Sequence, residues 1–117
     1  MRKKALAMLM AMGMMTTTVF GGATVVSAAD KCKVVLSLAD QSDYFIGTMV
    51  GVAVEKAFED AGADVQILDG ANDVQNQVNQ IQNAITSGAD IIYIFPAGDG
   101  EVYCDVLDAA KAAGVKT

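Results

Sequence analysis

Three short apolar runs alternate along the chain with three segments of helical periodicity, and this alternation constrains the fold more than any other feature. The runs lie at 34–38, 65–68 and 91–95, and all are rich in β-branched or aromatic residues. The first and third are nearly continuous, which is typical of strands covered on both faces, as in parallel sheets. We therefore predict three parallel strands connected by helices.

Between the runs, apolar residues recur at steps of three and four, the spacing of one buried helix face. The three sets are Met49, Val50, Ala53, Val54, Ala57, Phe58 and Ala61; Val74, Val78, Ile81 and Ile85; and Val102, Val106, Ala110 and Ala113. Each predicted helix ends at a glycine, the residue that best adopts the left-handed terminal conformation: Gly62, Gly88 and Gly114. The order βαβαβα, with right-handed crossovers, predicts an α/β fold with a parallel sheet and helices on both faces.

The stretch after the third predicted helix repeats an earlier pattern. "AGADVQIL", "SGADIIYIF" and "AGVKT" each combine a helix end, a tight turn and the start of a strand. A fourth strand is therefore expected to begin at 116–117. Because a three-stranded parallel sheet leaves two unpaired edges, we interpret the sequence as an incomplete part of a larger protein.

The first 29 residues differ in composition from the rest of the chain. Residues 2–4 are basic, an uncharged apolar stretch follows, and "VVSAAD" supplies small residues for cleavage after Ala28 or Ala29. This arrangement predicts a secretory signal peptide at 1–29 and export to the periplasm or the extracellular face of the cell envelope, without membrane insertion after cleavage. The alternative is an uncleaved membrane anchor, since residues 5–29 are long enough to span a bilayer.

The charge and the missing residue types exclude several kinds of function. Residues 30–117 carry 14 acidic residues and five lysines, a formal charge of −9, which disfavours nucleic-acid binding. The chain contains no His, so a Ser-His or Cys-His nucleophile is excluded in this segment. Zinc and calcium ligand spacings and glycine-rich nucleotide loops are also missing. We predict no enzymatic activity, no metal and no cofactor.

Two cysteines remain to be assigned. Cys32 precedes the first predicted strand and Cys104 follows the third, so we expect them at opposite ends of parallel strands. A strand of five or six residues separates its ends by roughly 17–20 Å, whereas bridged Cα atoms lie within about 7 Å. We predict two unpaired, buried thiols.

The predicted topology also indicates where a ligand binds. In open parallel sheets, ligands bind beyond the carboxyl ends of the strands, where the strand order reverses. For the common order 2-1-3, the loops at 39–45 and 96–101 face this crevice. The first loop reads "ADQSDYF", with two adjacent aromatic residues at its rim, and the second begins "PAGDG", which supplies a carboxylate and free backbone amides.

Four residues of these loops are candidate ligand contacts: Ser42, Tyr44, Phe45 and Asp99. Structural roles are also open for three of them. Ser42 or Asp43 caps the first helix, Phe45 packs on the sheet as the first core residue of its helix, and Asp99 serves as a turn or cap residue. Tyr44 has less reason to be buried.

The segment from "VVLSLADQSDYF" to "AAGVKT" resembles the start of the type I periplasmic sugar-binding proteins, the ribose, galactose and xylose group of solute-binding subunits. The most specific part is "DGANDVQNQVNQIQNAITSGADIIYIFP". The positions that follow the family's order are Asp69, Asn72, Asp73, Gln77, Gln80, Ile81, Gly88, Asp90 and Pro96. The resemblance implies that residues 30–117 are the first half of the amino-terminal lobe of a periplasmic-binding-protein-like, flavodoxin- or Rossmann-like fold.

The resemblance further implies an exported solute-binding subunit that closes two lobes on a sugar and delivers it to an ABC transporter permease. It implies that Ser42 bonds sugar hydroxyls and that Tyr44 and Phe45 supply an aromatic face for the ring. Ser42 stands where the ribose branch commonly has Asn, Asp43 stands where that branch has Pro, and Asp99 lies one residue later than the family's Pro-x-Asp. An extracellular sensory ligand-binding domain is the alternative of the same fold. A secreted enzyme of flavodoxin-like architecture is a third class.

Overall fold

A computed structural model describes residues 30–117, so the predicted signal peptide at 1–29 lies outside the described residues. The elements, in chain order, are β1 (Lys33–Leu38), a π-helical segment (Tyr44–Gly51) that continues into α1 (Val52–Asp60), β2 (Asp64–Asp69), α2 (Val74–Thr86), β3 (Ile91–Phe95), and a 3₁₀ turn (Gly100–Tyr103) that continues into α3 (Cys104–Ala112). The predicted alternation of strands and helices is confirmed. In residues 30–117, no helix has the length and apolar character needed to cross a membrane.

The three strands form one parallel sheet in the order β2-β1-β3, as predicted. β1 is the central strand, and each of its residues at 34–38 is at most 6% exposed, which explains its nearly continuous apolar run. Leu38, the last residue of β1, pairs with Phe95, the last residue of β3. The carboxyl ends of these two strands are therefore level with each other.

The chain returns to the sheet after α3. The Lys116 amide donates to the Asp90 carbonyl at 3.0 Å, and the Ile92 amide donates to the Lys116 carbonyl at 2.8 Å. These bonds form a parallel bridge between Ile91 and Lys116 on the outer edge of β3. This bridge lies at the position where a fourth strand was expected to begin.

Helices cover both faces of the sheet. α2 and α3 pack on one face, and their core consists of Val35, Ile81, Ala84, Ala89, Ile92, Tyr103, Val106, Ala110 and Val115. The π-helical segment packs on the opposite face, where a Cβ atom at Gly51 would lie 2.8 Å from Leu38 Cδ1. This arrangement confirms the predicted fold class.

The three helices end where the sequence pattern predicts, but the first helix does not begin as a regular α-helix. Gly62, Gly88 and Gly114 all have left-handed φ angles, of 87°, 83° and 77°. The first helix, however, begins as a π-helix at Tyr44–Gly51, which apolar spacing alone does not predict. The wider turns of a π-helix are rare, and they are frequently found at functional sites.

Both cysteines are free thiols, and both are exposed, so their predicted burial is wrong. Cys32 lies just before β1, outside the covered part of the sheet. Cys104 is the first residue of α3, and its Sγ lies 3.8 Å from the Gly100 carbonyl oxygen of the preceding turn. Each thiol lies at the end of an element, where a small apolar side chain can remain outside the core.

Candidate functional site

Two loops leave the sheet side by side at the point where the strand order reverses. Residues 39–43 follow β1 and residues 96–99 follow β3, and the two strand ends are paired through Leu38 and Phe95. β2 lies on the other side of β1. Both predicted ligand loops therefore lie at one carboxyl edge, as in other open α/β sheets that bind ligands.

The loop after β1 is held from the end of β2. Asp69 Oδ1 accepts hydrogen bonds from the Gln41 amide at 3.0 Å and from the Ala71 amide at 2.9 Å. The Asn72 amide donates to the Ala39 carbonyl at 2.6 Å. The carboxylate of Asp69 is therefore used to shape the loop, a role that the sequence pattern did not predict.

Gly47 of the π-helical segment lies against the same loop. A Cβ atom at this position would overlap with the carbonyl oxygen of Gln41. The Gly47 amide donates to the Asp43 carbonyl at 2.7 Å, which fixes the segment to the loop that precedes it. Only glycine permits this approach of helix and loop backbones.

The two polar residues that were candidates for the helix cap have different roles. Asp43 is the cap, because its Oδ1 accepts from the Ile46 amide at 2.9 Å. Ser42 instead donates to Asp40 Oδ1, from Oγ at 2.6 Å and from its amide at 2.8 Å. Since the Ser42 hydroxyl proton is engaged by Asp40, its oxygen lone pairs remain available as acceptors.

These bonds also affect the charge of the loop. The hydroxyl and then the amide of Ser42 hold the pKa of Asp40 below its ordinary value of 3.8. Asp40 is therefore a carboxylate at neutral pH, next to the candidate contact Ser42. It adds an anionic acceptor to the rim of the crevice.

The two aromatic residues of the loop are largely exposed. Tyr44 is 72% exposed and Phe45 is 56% exposed, so the interpretation of Phe45 as a buried core residue is wrong. The Phe45 ring instead lies edge-on to the Phe95 ring, with centroids 6.5 Å apart and planes at 68°. Edge-to-face pairs of this kind are favourable, so β3 supports Phe45 while more than half of Phe45 remains accessible.

Asp99 lies on the second loop and is exposed. Its carbonyl accepts from the Val102 amide at 3.2 Å, but its carboxylate makes no cap hydrogen bond. Within residues 30–117, no hydrogen bond joins Asp99 to Ser42, Tyr44 or Phe45. The structure therefore places all four predicted residues at one edge of the sheet, and it leaves the Asp99 carboxylate unused by its own turn.

A buried polar network lies beneath the second loop. Gln77 of α2 is fully buried. Its Nε2 donates to the carbonyls of Ser37 at 3.2 Å and Phe95 at 3.0 Å. Its Oε1 accepts from the Ala97 amide at 2.9 Å and from the Tyr103 hydroxyl at 2.6 Å. All four hydrogen-bonding positions of this amide are occupied.

Sequence reasoning did not assign this network, although a signal for it exists. Gln77 lies three residues after Val74 and four before Ile81, on the apolar face of α2. A polar side chain at such a position is buried only when its hydrogen bonds are satisfied. The pattern identifies Gln77 as a buried amide, but its partners come from β1, β3 and a distant turn.

Two recesses of the described residues lie apart from the four candidate contacts. One, of about 250 Å³, lies against β2 and α2 and includes Gln66 and Asn83. The other, of about 410 Å³, lies at the outer edge of β3, where Pro96 and Gly100 of the second loop line it together with Leu107. Neither contains a predicted ligand contact, so within 30–117 the candidate site is an open edge rather than a closed cavity. No cluster of three metal-ligating side chains occurs in the same residues.

Comparison with known proteins gives two matches. The family model of the periplasmic binding protein domain matches residues 34–117. The multiple sugar-binding periplasmic receptor ChvE of Rhizobium radiobacter is 35% identical over 66 residues. This alignment covers 56% of the present chain and 18% of that protein, so the chain matches less than a fifth of its relative's length.

Proposed function

This chain belongs to the periplasmic binding protein domain family, and from that membership we propose that it is an exported subunit that captures a sugar and delivers it to an ABC transporter permease. The family match and the receptor relative indicate a ligand-binding role. The relative is by name a receptor for several sugars, which supports a sugar as the ligand class. The ligand, the permease and the location in the periplasm are all parts of the proposal.

The observation that carries the proposal is the pair of exposed rings at the carboxyl edge. Tyr44 and Phe45 are 72% and 56% exposed, although large apolar surfaces are normally removed from water. A sugar ring presents C–H groups on its faces, and an aromatic ring is a suitable apolar partner for them. The edge-on contact with Phe95 orients Phe45 before any ligand arrives, which lowers the entropy cost of binding.

Polar groups beside the rings match the hydroxyls of such a ligand. Ser42 Oγ retains acceptor positions, and the Asp40 and Asp99 carboxylates accept hydrogen bonds from hydroxyl donors. Residues 30–117 carry a formal charge of −9, which favours a neutral ligand over an anionic one. The two exposed aromatic rings, the hydrogen-bond acceptors beside them and the negative formal charge together favour an uncharged carbohydrate.

An open edge of this kind supplies one wall of a site. A second lobe that closes by a hinge would bury the ligand and strengthen its hydrogen bonds by excluding water. In the proposal, residues 30–117 supply the aromatic wall, and the closed form of the whole protein is the one that the permease recognises.

A thermal-shift titration of the full-length mature protein tests the ligand class. D-Ribose, D-galactose and D-xylose are the first probes, and stabilisation should increase with the concentration of a sugar that binds. Amino acids and nucleosides serve as controls. A shift with these controls but with no sugar would refute the proposal.

A pair of variants at one position tests the site. Tyr44→Ala removes the exposed ring and should abolish most of the sugar-induced shift. Tyr44→Phe retains the ring and should retain most of the shift, so it is the matched control. Equal shifts in wild type and Tyr44→Ala would show that the sugar binds elsewhere. Delivery is tested separately, by measuring whether deletion of the gene abolishes uptake of the sugar that binds.

A further inference from the structure

We propose that Gln77 and Tyr103 are positioning residues that hold the start of the second ligand loop against the ends of β1 and β3. The identity of what the loops bind rests on the proposed function, whereas the positioning itself is a property of the unliganded protein. Neither side chain is exposed at the site, since Gln77 is fully buried and Tyr103 is 2% exposed. Both act through the backbone of the loops.

The first step concerns the strand ends. One Nε2 group of Gln77 donates to the Ser37 carbonyl of β1 and to the Phe95 carbonyl of β3. These carbonyls belong to neighbouring strands at the edge from which the ligand loops leave. The ladder through Leu38 and Phe95 already fixes the spacing of the two strand ends. The two bonds from one amide nitrogen therefore fix the side chain of Gln77 relative to both strands.

The second step concerns the loop after β3. The Ala97 amide donates both to Gln77 Oε1 at 2.9 Å and to the Tyr103 hydroxyl at 3.1 Å. The Tyr103 hydroxyl donates in turn to Gln77 Oε1 at 2.6 Å, which completes a triangle. The loop at 96–99 is thus held near its start by Ala97 and after its end by Tyr103.

The third step connects the network to the aromatic wall. Phe95, whose carbonyl is bonded by Gln77, is also the residue whose ring lies edge-on to Phe45. The same buried amide therefore fixes the strand residue that supports one wall and the loop that carries Asp99. Water cannot replace a lost partner at full burial, so the network strongly favours one arrangement of the loops.

Hydrogen exchange of the Ala97 amide in the unliganded full-length protein is the direct test. Gln77→Met removes all four bonds of the Gln77 amide at nearly constant volume and leaves the Ala97 amide only the longer bond to the Tyr103 hydroxyl, at 3.1 Å. The Ala97 amide should then exchange at least about tenfold faster, the factor that corresponds to 1.4 kcal/mol. Tyr103→Phe removes one hydroxyl and leaves the Gln77–Ala97 bond, so a smaller acceleration is expected. This second variant keeps the test valid if Gln77→Met does not fold.

Sugar affinity is measured in the same variants with the probe sugar that stabilises the wild type best. We expect an affinity about tenfold weaker in Gln77→Met and a smaller loss in Tyr103→Phe. Gln82→Met is the matched control, because Gln82 is exposed on the same helix. It should leave both the exchange rate and the affinity unchanged.

The outcomes separate the two proposals. An unchanged Ala97 exchange rate in both variants overturns the positioning role. Faster exchange with full sugar affinity supports the positioning of the loop and overturns its effect on sugar binding. If the variants show faster Ala97 exchange but the wild type binds none of the sugars, the proposed function is refuted and the positioning role of Gln77 and Tyr103 is supported. Faster exchange together with weaker affinity supports both.

Discussion

The ring of Phe45, on the segment after β1, lies edge-on to the ring of Phe95 at the end of β3, with centroids 6.5 Å apart. Fifty residues of sequence separate the two rings, and their contact joins the first ligand loop to the strand that precedes the second. Phe45 is thereby oriented by the protein while most of its surface remains exposed.

The two phenylalanines should be energetically coupled. Phe45→Leu and Phe95→Leu each remove one ring and retain an apolar side chain, so a double-mutant cycle isolates the ring pair. We expect a coupling of about 0.5–1.5 kcal/mol, the usual range for edge-to-face pairs. Urea unfolding of the wild type, both single variants and the double variant measures it. Strictly additive effects would contradict the prediction.

Gly47→Ala should destabilise the protein and disturb the first ligand loop. The added Cβ would overlap with the Gln41 carbonyl oxygen, so the loop or the π-helical segment must move. Such overpacking typically costs about 1–3 kcal/mol. Gly100→Ala is the control, since no atom lies within 4 Å of its added Cβ, and we expect a change of less than about 0.5 kcal/mol. Equal midpoints of urea unfolding for both variants would show that the close approach has no energetic consequence.

Asp69→Ala should loosen the first loop. The substitution removes the acceptor for the Gln41 and Ala71 amides, so the Gln41 amide should exchange faster with solvent. Asp69→Asn retains a side-chain oxygen and should preserve most of the protection. Hydrogen exchange followed by NMR distinguishes the variants, and unchanged Gln41 protection in Asp69→Ala would contradict the assigned role of this carboxylate.

Asp40 should titrate below its ordinary pKa of 3.8, because Ser42 donates two hydrogen bonds to it. A carboxyl group whose pKa is lower in the folded state stabilises the fold above its unfolded pKa, and the contribution is lost as the pH falls through the lowered value. Ser42→Ala removes the hydroxyl bond and should raise the pKa of Asp40 towards 3.8. NMR titration of the carboxyl carbon measures both values, and identical midpoints in the two proteins would exclude the hydroxyl as the cause.

Ser37→Ala should leave stability unchanged or raise it by up to about 1 kcal/mol. The Ser37 hydroxyl is buried at the centre of the sheet and has no hydrogen-bond partner among the described residues. Alanine removes a buried polar group without removing a bond. Ser87→Ala, at the exposed end of α2, is the control for the loss of a hydroxyl. A thermal midpoint several degrees lower for Ser37→Ala alone would show that the hydroxyl has a stabilising partner.

Much of the fold could be predicted because its signals are local. The apolar run at 34–38 indicates a strand covered on both faces, and β1 is indeed the central strand. Gly62, like the glycines that end the other two helices, adopts the left-handed conformation that its position predicts. The strand order 2-1-3 was assumed because it is common, and the sheet confirms it. This order places both ligand loops at one edge.

The candidate site was predictable in its location and less so in its details. Tyr44 and Phe45 lie at the expected edge, but the sequence left Ser42 and Asp43 as equal candidates for the cap. The structure shows that Asp43 is the cap, since its carboxylate accepts from the Ile46 amide. The sequence could not distinguish the two residues, because both carry a suitable oxygen and differ only in the direction of their side chains. The alternative role of Phe45 as a buried core residue is wrong, because its partner, Phe95, contacts the ring edge-on rather than enclosing it.

The sequence by itself determined the α/β class, the order of the elements and the helix ends, because periodicity and turn preferences act over a few residues. The tertiary structure alone decided which distant groups meet. Gln77 bonds Ser37 forty residues away, and Phe45 meets Phe95 across fifty. Such contacts depend on the packing of α2 and of the π-helical segment against the sheet, and packing is a property of the whole chain in space rather than of any short stretch of it.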